Sequence, residues 1–279
     1  ERLAGRYEPS SWTVMNEIEM DRLYNEKLKI IESGVDTYWL AEPLRVGVNQ
    51  KHSLYVQGGE GNFLFGLGAG YNGNSGVMKK SLREVITANI DLIYRMDRFQ
   101  FSNKFSMTST NYTNPIVSFQ TYVNANPYYK KRNNDGIVEK WLEYNDFFRS
   151  PNPLWDASLN SRNEGKNLTL SNFFIAEYFP VQAWRFRLRV GVTYGNDDAE
   201  FFYSPSDTRF DYVETIKKGS YNSQNVRLNQ YEGEFSVTFA KLLGRHQLNV
   251  VLGGNLYSQN SLTQGYEVEG FPEGDFTYP

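Results

Sequence analysis

The chain contains no cysteine, only two histidines (His52 and His246), and no apolar run near the length of a membrane-spanning helix. The missing cysteines exclude disulfide bonds, thiolate nucleophiles and cysteine-ligated metals, and two histidines exclude a multi-histidine metal site. The net charge of −3 argues against a nucleic-acid-binding protein, whose surface is usually strongly basic. The apolar stretch at 248–256 is interrupted by Asn and Gly, and a spanning helix needs roughly 20 apolar residues.

Aromatic residues, in contrast, are abundant. The 279 residues include 20 Tyr, 19 Phe and 5 Trp, although the mean hydropathy is only −0.57. This combination is typical of a transmembrane β-barrel, because only every second residue of a spanning strand faces lipid.

The clearest strand pattern runs from Trp184 to Gly195. Apolar residues alternate strictly with Arg185, Arg187, Arg189, Gly191 and Thr193. A dozen alternating residues exceed the roughly 5–6 residues of an ordinary strand and match the roughly 9–11 needed to cross a bilayer at a tilt. The pattern therefore predicts a transmembrane strand with the three arginines on the polar, lumen-facing side.

Phe99 to Thr108 repeats the pattern with Gln100 and Lys104 on the polar side, and Asn103 is its one misfit on the apolar side. Six further segments alternate less regularly: 51–58, 62–71, 84–95, 167–178, 230–241 and 246–257. The predicted polar sides include Asp91 and the glycines Gly66, Gly68 and Gly70. In 167–178, Phe173 and Ile175 fall on the polar side, which suggests a bulge or an inward-facing contact.

The connections between these segments alternate between short and long. The long ones cover about 109–166 and 196–229, followed by a tail from 258 to 279. Outer-membrane barrels have short periplasmic turns and long extracellular loops, so the alternation favours such a barrel. Within the first 38 residues, apolar residues recur at helical spacing before Ser33-Gly34, which predicts a helix there. Residues 39–279 are then expected to form the barrel portion.

Several residues have both a functional and a purely structural interpretation. Arg185, Arg187 and Arg189 form the arginine row. In the functional interpretation this row is a lumen surface that attracts anions or contacts a plug domain. In the structural interpretation it is an ordinary polar lumen surface in which Arg185 pairs with Glu177. The glycine row allows a strand to bend or another backbone to approach. The acidic segment 195–200 is a weak candidate for a calcium loop, and no other cofactor or metal is expected. No residue pattern indicates catalysis, so we expect a protein that is not an enzyme.

Aromatic residues are concentrated in the longest loop. They are candidates for contacts with a substrate or a lid protein, although long loops also use such residues to pack on themselves. The candidates are Tyr128, Tyr129, Trp141, Phe147 and Trp155.

The stretch 39–59 carries a family resemblance. Trp39-Leu40, Arg45 and GVNQKHSLYVQGG at 47–59 are similar to a segment near the start of the barrel in the SusC/RagA group of TonB-linked outer-membrane transporters of Bacteroidetes. Tyr55 and Gln57 depart from it, since the family often has Ser there. Further matching residues flank this stretch: 15–17, 23–26, 34–37, 126–129, 135–136, 152–154 and Asn160.

The resemblance implies an all-β fold, in which this chain supplies about eight antiparallel strands of a plugged transmembrane barrel with about 22 strands. It implies a SusD-like surface lipoprotein as a lid, TonB-driven uptake of oligosaccharides or oligopeptides, and residence in the bacterial outer membrane. It also implies that the partly helical segment 1–38 belongs to an extracellular loop. The plug, the TonB-binding segment and the remaining strands are expected to lie outside this sequence. The expected contacts are with those parts, a glycan or peptide and outer-membrane lipid, and not with nucleic acid.

Two alternatives remain open at this point. Eight strands also suffice for a complete small barrel with a structural or adhesive role. A soluble all-β carbohydrate-binding module is the other alternative, and it requires the apolar strand faces to be covered by a second sheet.

Overall fold

The computed structural model describes residues 17–144 and 149–272. Eight long strands form one antiparallel sheet in the order β1-β2-β3-β4-β7-β8-β9-β10, so each strand lies beside the next long strand along the chain. Their bounds are β1 Val48–Glu60, β2 Phe63–Ser75, β3 Leu82–Met96, β4 Phe99–Thr113, β7 Arg162–Tyr178, β8 Trp184–Tyr203, β9 Ser220–Leu243 and β10 His246–Glu269.

All eight predicted strands are present, but most are longer than the sequence pattern indicates. β9 begins at Ser220 instead of 230, and β10 ends at Glu269 instead of 257. The larger extensions lie at the ends next to the long connections. The apolar alternation stops in these extensions while the backbone pairing of the strands continues, so alternation alone does not mark the strand ends.

Short and long connections alternate, as predicted. Three of the short turns contain only two residues: 61–62, 97–98 and 244–245. Gly61, Asp97 and Gly244 occupy positive φ in these turns, at 57°, 47° and 61°. Glycine and Asp tolerate this left-handed conformation, which allows the chain to reverse within two residues.

One face of the sheet is apolar and is bounded by aromatic rings. Near the short turns, ring contacts cross four strands, with centroids 4.6 Å apart for Phe99 and Tyr178, 6.2 Å for Tyr178 and Phe186, and 4.8 Å for Trp184 and Phe239. From Trp184 to Tyr194, ten residue steps along β8, the strand rises about 33 Å. At a tilt of about 40° this distance covers the apolar band of about 25 Å found on outer-membrane barrels.

Asn103 and Asn172 interrupt this apolar face together. Each amide nitrogen donates to the side-chain oxygen of the other residue, over 3.0 Å and 3.1 Å. Their strands β4 and β7 are neighbours, and the two residues are diagonal across the pair. The misfit at Asn103 is therefore resolved by a second asparagine, since each amide meets part of the other's hydrogen-bonding need.

The described sheet contradicts both alternative architectures. β1 and β10 do not pair with each other among the described strands, so these eight strands do not close into a barrel of their own. Within the described part of the second unit, no further sheet packs on the apolar face. Leu188, Val190 and Val192 in the middle of β8 remain 44–46% exposed. Among the described residues, no helix has the length and apolar character required to cross a membrane.

The chain divides into two compact units, and the sheet belongs to the second, which comprises 44–116 and 159–279. The first unit comprises 1–43 and 117–158. It contains α1 Glu17–Glu32, α2 Phe119–Asn124, α3 Pro153–Ser158 and a small hairpin of β5 Trp141–Tyr144 and β6 Arg149–Pro151. The middle of the longest loop thus groups with the N-terminal segment, whereas the sequence interpretation assigned it to the barrel portion.

Two features of the first unit follow from its sequence. α1 ends as predicted, where Ser33 donates its backbone N–H to Lys29 and Gly34 takes a φ of 70°. Leu23 on this helix is only 1% exposed and anchors it within the unit. The two short helices α2 and α3 were not predicted, because six residues are too few to show helical periodicity.

The asparagine pair yields a testable prediction. Replacing Asn103 with Leu leaves the Asn172 amide without its partner on an apolar face, and we expect a loss of about 1–2 kcal/mol in the free energy of unfolding. The double variant Asn103→Leu/Asn172→Leu is expected to recover most of that loss. Urea unfolding of the protein in lipid vesicles measures both. An additive result, in which the double variant loses as much stability as the two single variants together, would contradict the pairing.

Candidate functional site

The predicted polar-side residues of the second unit all lie on the face opposite the aromatic rings. The strand register places Gly66 opposite Asp91, Asp91 opposite Lys104, and Gln100 opposite Glu177. Residues directly opposite each other share a face in an antiparallel sheet. This face, called the polar face below, also carries Gly68, Gly70, Arg185, Arg187 and Arg189.

The arginine row is paired with carboxylates. Glu177 lies 3.4 Å from Arg185 and 4.0 Å from Arg187. Arg189 lies 3.6 Å from Glu232 and 3.8 Å from Glu234 on the next strand. Three arginines thus face three glutamates, which favours the interpretation as a structural, paired lumen surface over an anion-attracting one. The predicted contact between Arg185 and Glu177 is confirmed.

The network continues across β4 to β3. Gln100 donates its side-chain amide to Glu177 over 3.0 Å and accepts a hydrogen bond from Arg95 over 2.9 Å. These partners belong to four successive strands, β3, β4, β7 and β8. Because the groups are partly exposed, each ion pair contributes at most about 1 kcal/mol, and the network mainly fixes side-chain orientation.

Phe173 explains the irregular pattern of 167–178. Its ring lies beside Gly191 on the polar face, where a Cβ atom on that glycine would be 2.6 Å from two ring carbons. The Arg189 guanidinium stacks on the same ring, 4.4 Å from its centroid. The pairing of β7 with β8 continues without a register shift, so Phe173 makes an inward-facing contact and there is no bulge.

Tyr55 covers the glycine row in a similar way. A Cβ atom on Gly66 would collide with the Tyr55 hydroxyl, and one on Gly68 would lie 3.5 Å from the ring. A neighbouring side chain therefore occupies the space above the glycines, where the sequence analysis expected a bend or the approach of another backbone. An aromatic ring above a glycine is a common way of restoring packing on a strand.

An uncharged band lies beside the paired charges on the polar face. It consists of two rows of mostly short hydroxyl and amide side chains. The rows contain Thr87, Thr108 and Thr169, and Asn89, Ser106, Ser171, Thr193 and Gln230. Thr193 donates its hydroxyl to Ser171 over 3.0 Å. The band is a shallow surface that offers hydrogen bonds without net charge.

The aromatic candidates of the longest loop differ in their surroundings. Tyr128 is 44% exposed, whereas Tyr129, Trp141 and Trp155 are half-buried. The Tyr129 hydroxyl donates to Glu143 over 2.5 Å, and the Trp141 ring lies 5.6 Å from that of Tyr144. Most of these rings therefore pack within the unit, and Tyr128 remains available for contact. Phe147 lies outside the described residues.

The motif residues of the first unit hold its segments together. The Trp39 indole, 3% exposed, donates to the carbonyl of Asn126 over 2.9 Å. The Asn126 side chain accepts the backbone N–H of Tyr128, which forms the turn of the 126–129 motif. Asn152, 1% exposed, accepts the N–H of Leu154 and donates to the carbonyl of Lys131.

Two ion pairs also connect the N-terminal segment to the longest loop. Lys27 lies 3.0 Å from Glu143, and Lys131 lies 2.6 Å from Glu42. Glu143 therefore accepts from both Lys27 and Tyr129, which places a half-buried carboxylate between two donors. Both pairs join residues about 90 to 115 positions apart, which explains why sequence periodicity did not reveal this unit.

Burial shifts two phenols in this unit. Burial, with smaller contributions from the Glu42 and Asp156 carboxylates, raises the pKa of Tyr122 to about 12. Burial, followed by the hydrogen bond to Glu143 and the charge of Glu143, raises the pKa of Tyr129 well above its usual range. Both side chains stay neutral and act as donors or packing groups at physiological pH.

The weak calcium candidate 195–200 lies inside β8. Asp197 and Asp198 point to opposite faces because they are consecutive strand residues. The Asp198 carboxylate accepts hydrogen bonds from the side-chain amides of Asn196 and Asn225. In the described parts of the chain, no group of three or more His, Asp or Glu residues has an arrangement that could hold a metal ion.

Comparison with known proteins gives a consistent result. No family model matches this chain. The chain is 24% identical to the TonB-dependent receptor SusC of Bacteroides thetaiotaomicron over 283 residues, covering 91% of this chain and 26% of SusC. The chain is SusC-like. The resemblance predicted from residues 39–59 is confirmed.

Solved structures show the same fold. The RagAB peptide importer in its closed-closed state matches 86% of this chain and 27% of the solved chain, with a TM-score of 0.70 and 15% identity. Its open-open state matches with a TM-score of 0.71. The all-β prediction is confirmed, and the sheet is a segment of an antiparallel barrel wall. The chain spans about a quarter of the length of the proteins it matches.

Sequence reasoning missed some of the polar-face residues. Tyr55 was noted only as a departure from the family pattern, and Glu232 and Glu234 were not singled out. Both glutamates lie within the predicted strand 230–241, whose residues were not assigned to a side, and the register places them on the polar face. Their pairing with Arg189 required knowledge of the register between β8 and β9.

The contact between the Phe173 ring and Gly191 can be tested by substitution. Gly191→Ala would push a Cβ atom into the Phe173 ring and displace it from Arg189, and we expect a loss of about 1–3 kcal/mol in unfolding free energy. Gly233→Ala on the neighbouring strand is the matched control, because nothing lies within 4 Å of its Cβ position. Urea unfolding in lipid vesicles compares the two. Similar losses for both variants would refute the specific contact.

The raised pKa values of Tyr122 and Tyr129 predict that the protein loses stability at alkaline pH. Their stabilising effect is complete below pH 10, where unfolded tyrosine is still neutral. It is lost as the pH rises towards the folded-state pKa of about 12 at Tyr122. Thermal unfolding followed by tryptophan fluorescence should show this loss in the wild type. The variant Tyr122→Phe/Tyr129→Phe should show less of it, and an unchanged alkaline dependence in that variant would contradict the assignment.

Proposed function

We propose that this chain is part of a TonB-dependent importer in the bacterial outer membrane that takes up oligosaccharides or oligopeptides without chemical change. The observation that carries this proposal is the exposed apolar face, bounded by aromatic rings at the short-turn end. A face of this kind requires lipid as its surroundings, because water would oppose the exposure of so many large apolar side chains. The similarity to SusC adds the class of transporter.

In this proposal the polar face lines the lumen of the barrel. Its charged members support that orientation, since an arginine facing lipid at mid-bilayer costs about 2–4 kcal/mol. The lumen-lining candidates are Gly66, Gly68, Gly70, Asp91, Gln100, Lys104, Arg185, Arg187 and Arg189. The paired charges and the uncharged band form a hydrated wall that a polar solute or a folded plug can contact.

The unpaired edges of β1 and β10 support the proposal that further strands complete the barrel. Backbone N–H and C=O groups without partners cost several kcal/mol each in hydrocarbon. The proposed transporter also contains a plug domain and a TonB-binding segment elsewhere in the same protein. A SusD-like surface lipoprotein completes the proposed complex. The name of one similar protein, the TonB-dependent receptor SusC, supports the TonB-binding segment. The plug and the lipoprotein follow from the family resemblance of residues 39–59.

The long connections supply the proposed extracellular contacts. All of them leave the sheet at the end opposite the short turns, so the first unit, with the loop 117–158, is proposed to lie outside the cell. Tyr128, 44% exposed, is more exposed than the half-buried candidates Tyr129, Trp141 and Trp155, and it is the strongest of these candidates to touch a substrate or the lid. Substrate would be held between these loops and the lid and then released past a displaced plug.

The first experiment is native mass spectrometry of the detergent-extracted membrane complex that contains this chain, with intact-mass identification of each polypeptide. We expect the remaining barrel strands, a plug and a lipoprotein to accompany this chain. A companion gel compares heated and unheated samples.

Two outcomes would contradict the proposal. A lone 32.3 kDa membrane protein whose gel mobility shifts on heating would indicate a closed small barrel. Recovery of the chain from the aqueous fraction, without detergent, would indicate a soluble module. A matched sample of a known outer-membrane barrel, extracted in parallel, controls for losses during extraction.

A further inference from the structure

A small basic surface lies at the short turn between β9 and β10. Trp184 and Phe239 stand opposite each other on the apolar face, and their ring centroids are 4.8 Å apart. Lys241 follows Phe239 by two residues on β9 and therefore shares its face, and the register places His246 at the start of β10 on that face as well. Arg245 lies in the turn itself. Lys241, Arg245 and His246 are called the basic turn below.

Acidic residues are absent around the basic turn. The sequence contains no Asp or Glu from 235 to 256, and none from 178 to 190 on the neighbouring side. Lys241 and Arg245 are exposed, and neither forms an ion pair with any residue that the structure describes. The surface therefore has a net positive charge that the adjacent strands do not neutralise.

The other short turns at this end of the sheet differ in charge. Glu60 precedes the first turn, Asp97 lies beside Arg98 in the second, and the connection 179–183 contains no charged residue. All of these turns belong to the described part of the chain. Two cations without an acidic neighbour are thus a property of the β9–β10 turn alone among them.

The position of Lys241 relative to the two rings determines its depth in a membrane. Two residues of a strand rise about 7 Å, which is about 5 Å along the membrane normal at a tilt of about 40°. The headgroup layer on each side of the hydrocarbon core is about 5–8 Å thick. Since aromatic rings lie at the boundary of the hydrocarbon, the Lys241 ammonium lies at the level of the lipid headgroups.

This surface points away from the parts that would complete the proposed transporter. Further strands would extend the sheet sideways from the edge of β10, and a plug would contact the opposite, polar face. The long connections and the lid lie at the other end of the strands. The outward side of the basic turn therefore stays open to lipid in a complete barrel.

We infer that the basic turn binds the phosphate headgroup of an anionic phospholipid in the periplasmic leaflet of the outer membrane. This inference rests on the proposed function, in which the apolar face contacts lipid and the short turns face the periplasm. Lys241 and Arg245 donate charge-assisted hydrogen bonds to the phosphate oxygens, and His246 offers a ring N–H. The Lys241 stem lies along the apolar face, and Trp184 and Phe239 pack against the adjoining part of the lipid.

The test uses Trp184 as the reporter, because it is the one tryptophan of the second unit. The extracted membrane complex is reconstituted into phosphatidylcholine vesicles with increasing amounts of brominated phosphatidylglycerol or brominated phosphatidylcholine, whose bromine atoms quench nearby tryptophan. Subtracting the signal of a Trp184→Phe complex isolates Trp184. We expect brominated phosphatidylglycerol to quench it at about tenfold lower mole fraction at low salt, because each cation near the surface strengthens anion binding about fivefold.

Variants locate this preference in the basic turn. Lys241→Gln is expected to reduce it about fivefold, and Lys241→Gln/Arg245→Gln to remove it, while Lys241→Arg retains the charge and should preserve it. Arg98→Gln is the matched control, because it removes one cation from another turn at the same end. That turn leads into β4, which lies three strand spacings, about 14 Å, from β9. This variant should leave the quenching of Trp184 unchanged.

Three results would overturn the inference. The first is equal quenching of Trp184 by the two brominated lipids in the wild type, which requires no variant of the basic turn to fold. The second is a preference for phosphatidylglycerol that persists in Lys241→Gln/Arg245→Gln. The third is an equal loss in Arg98→Gln, which would mean that the overall field of the protein attracts the lipid and that this turn is not a site.

The same experiment reads out the proposed function separately. Brominated phosphatidylcholine quenches Trp184 whenever the apolar face contacts lipid, whether or not a headgroup binds at the basic turn. Quenching without a preference leaves the membrane-spanning importer intact and refutes only the site. Failure of both lipids to quench Trp184 would place the apolar face outside the lipid and refute both proposals.

Discussion

The antiparallel register between neighbouring strands determines the surface chemistry of the second unit. The seven pairings of the eight-stranded sheet continue without a register shift. Side chains alternate between faces with a period of two, so a slip of one residue would move Arg185, Arg187 and Arg189 to the apolar face. The uninterrupted register therefore keeps a lipid-compatible surface and a charged surface separate on the same eight strands.

Alternation predicted the strands and the side on which Asp91, Lys104 and the three arginines lie, because consecutive strand residues point to opposite faces. It did not predict the strand ends, because the apolar alternation stops before the backbone pairing does. Alternation also did not predict contacts between pairs of residues, such as Phe173 with Arg189 or Tyr55 with Gly66. They depend on which residues stand opposite each other, and a single strand's pattern contains no information about its neighbour.

The first unit illustrates the opposite case, in which short motifs matter more than periodicity. Trp39, Asn126 and Asn152 act through backbone carbonyls and N–H groups, so their effect depends on loop conformation. The family resemblance identified these positions without explaining them. Their hydrogen bonds show that they shape and join loops, which leaves exposed positions between them, such as Tyr128, as the contact surface of the proposed importer.

The reciprocal bond between Asn103 and Asn172 has a consequence for how this sequence can change over generations. A chain in which only one of the two asparagines is replaced is destabilised, whereas a chain in which both are replaced together is not. The two positions, 69 residues apart, are thus coupled by epistasis. Related chains should carry either two polar residues or two apolar residues there, and mixed combinations should be rare.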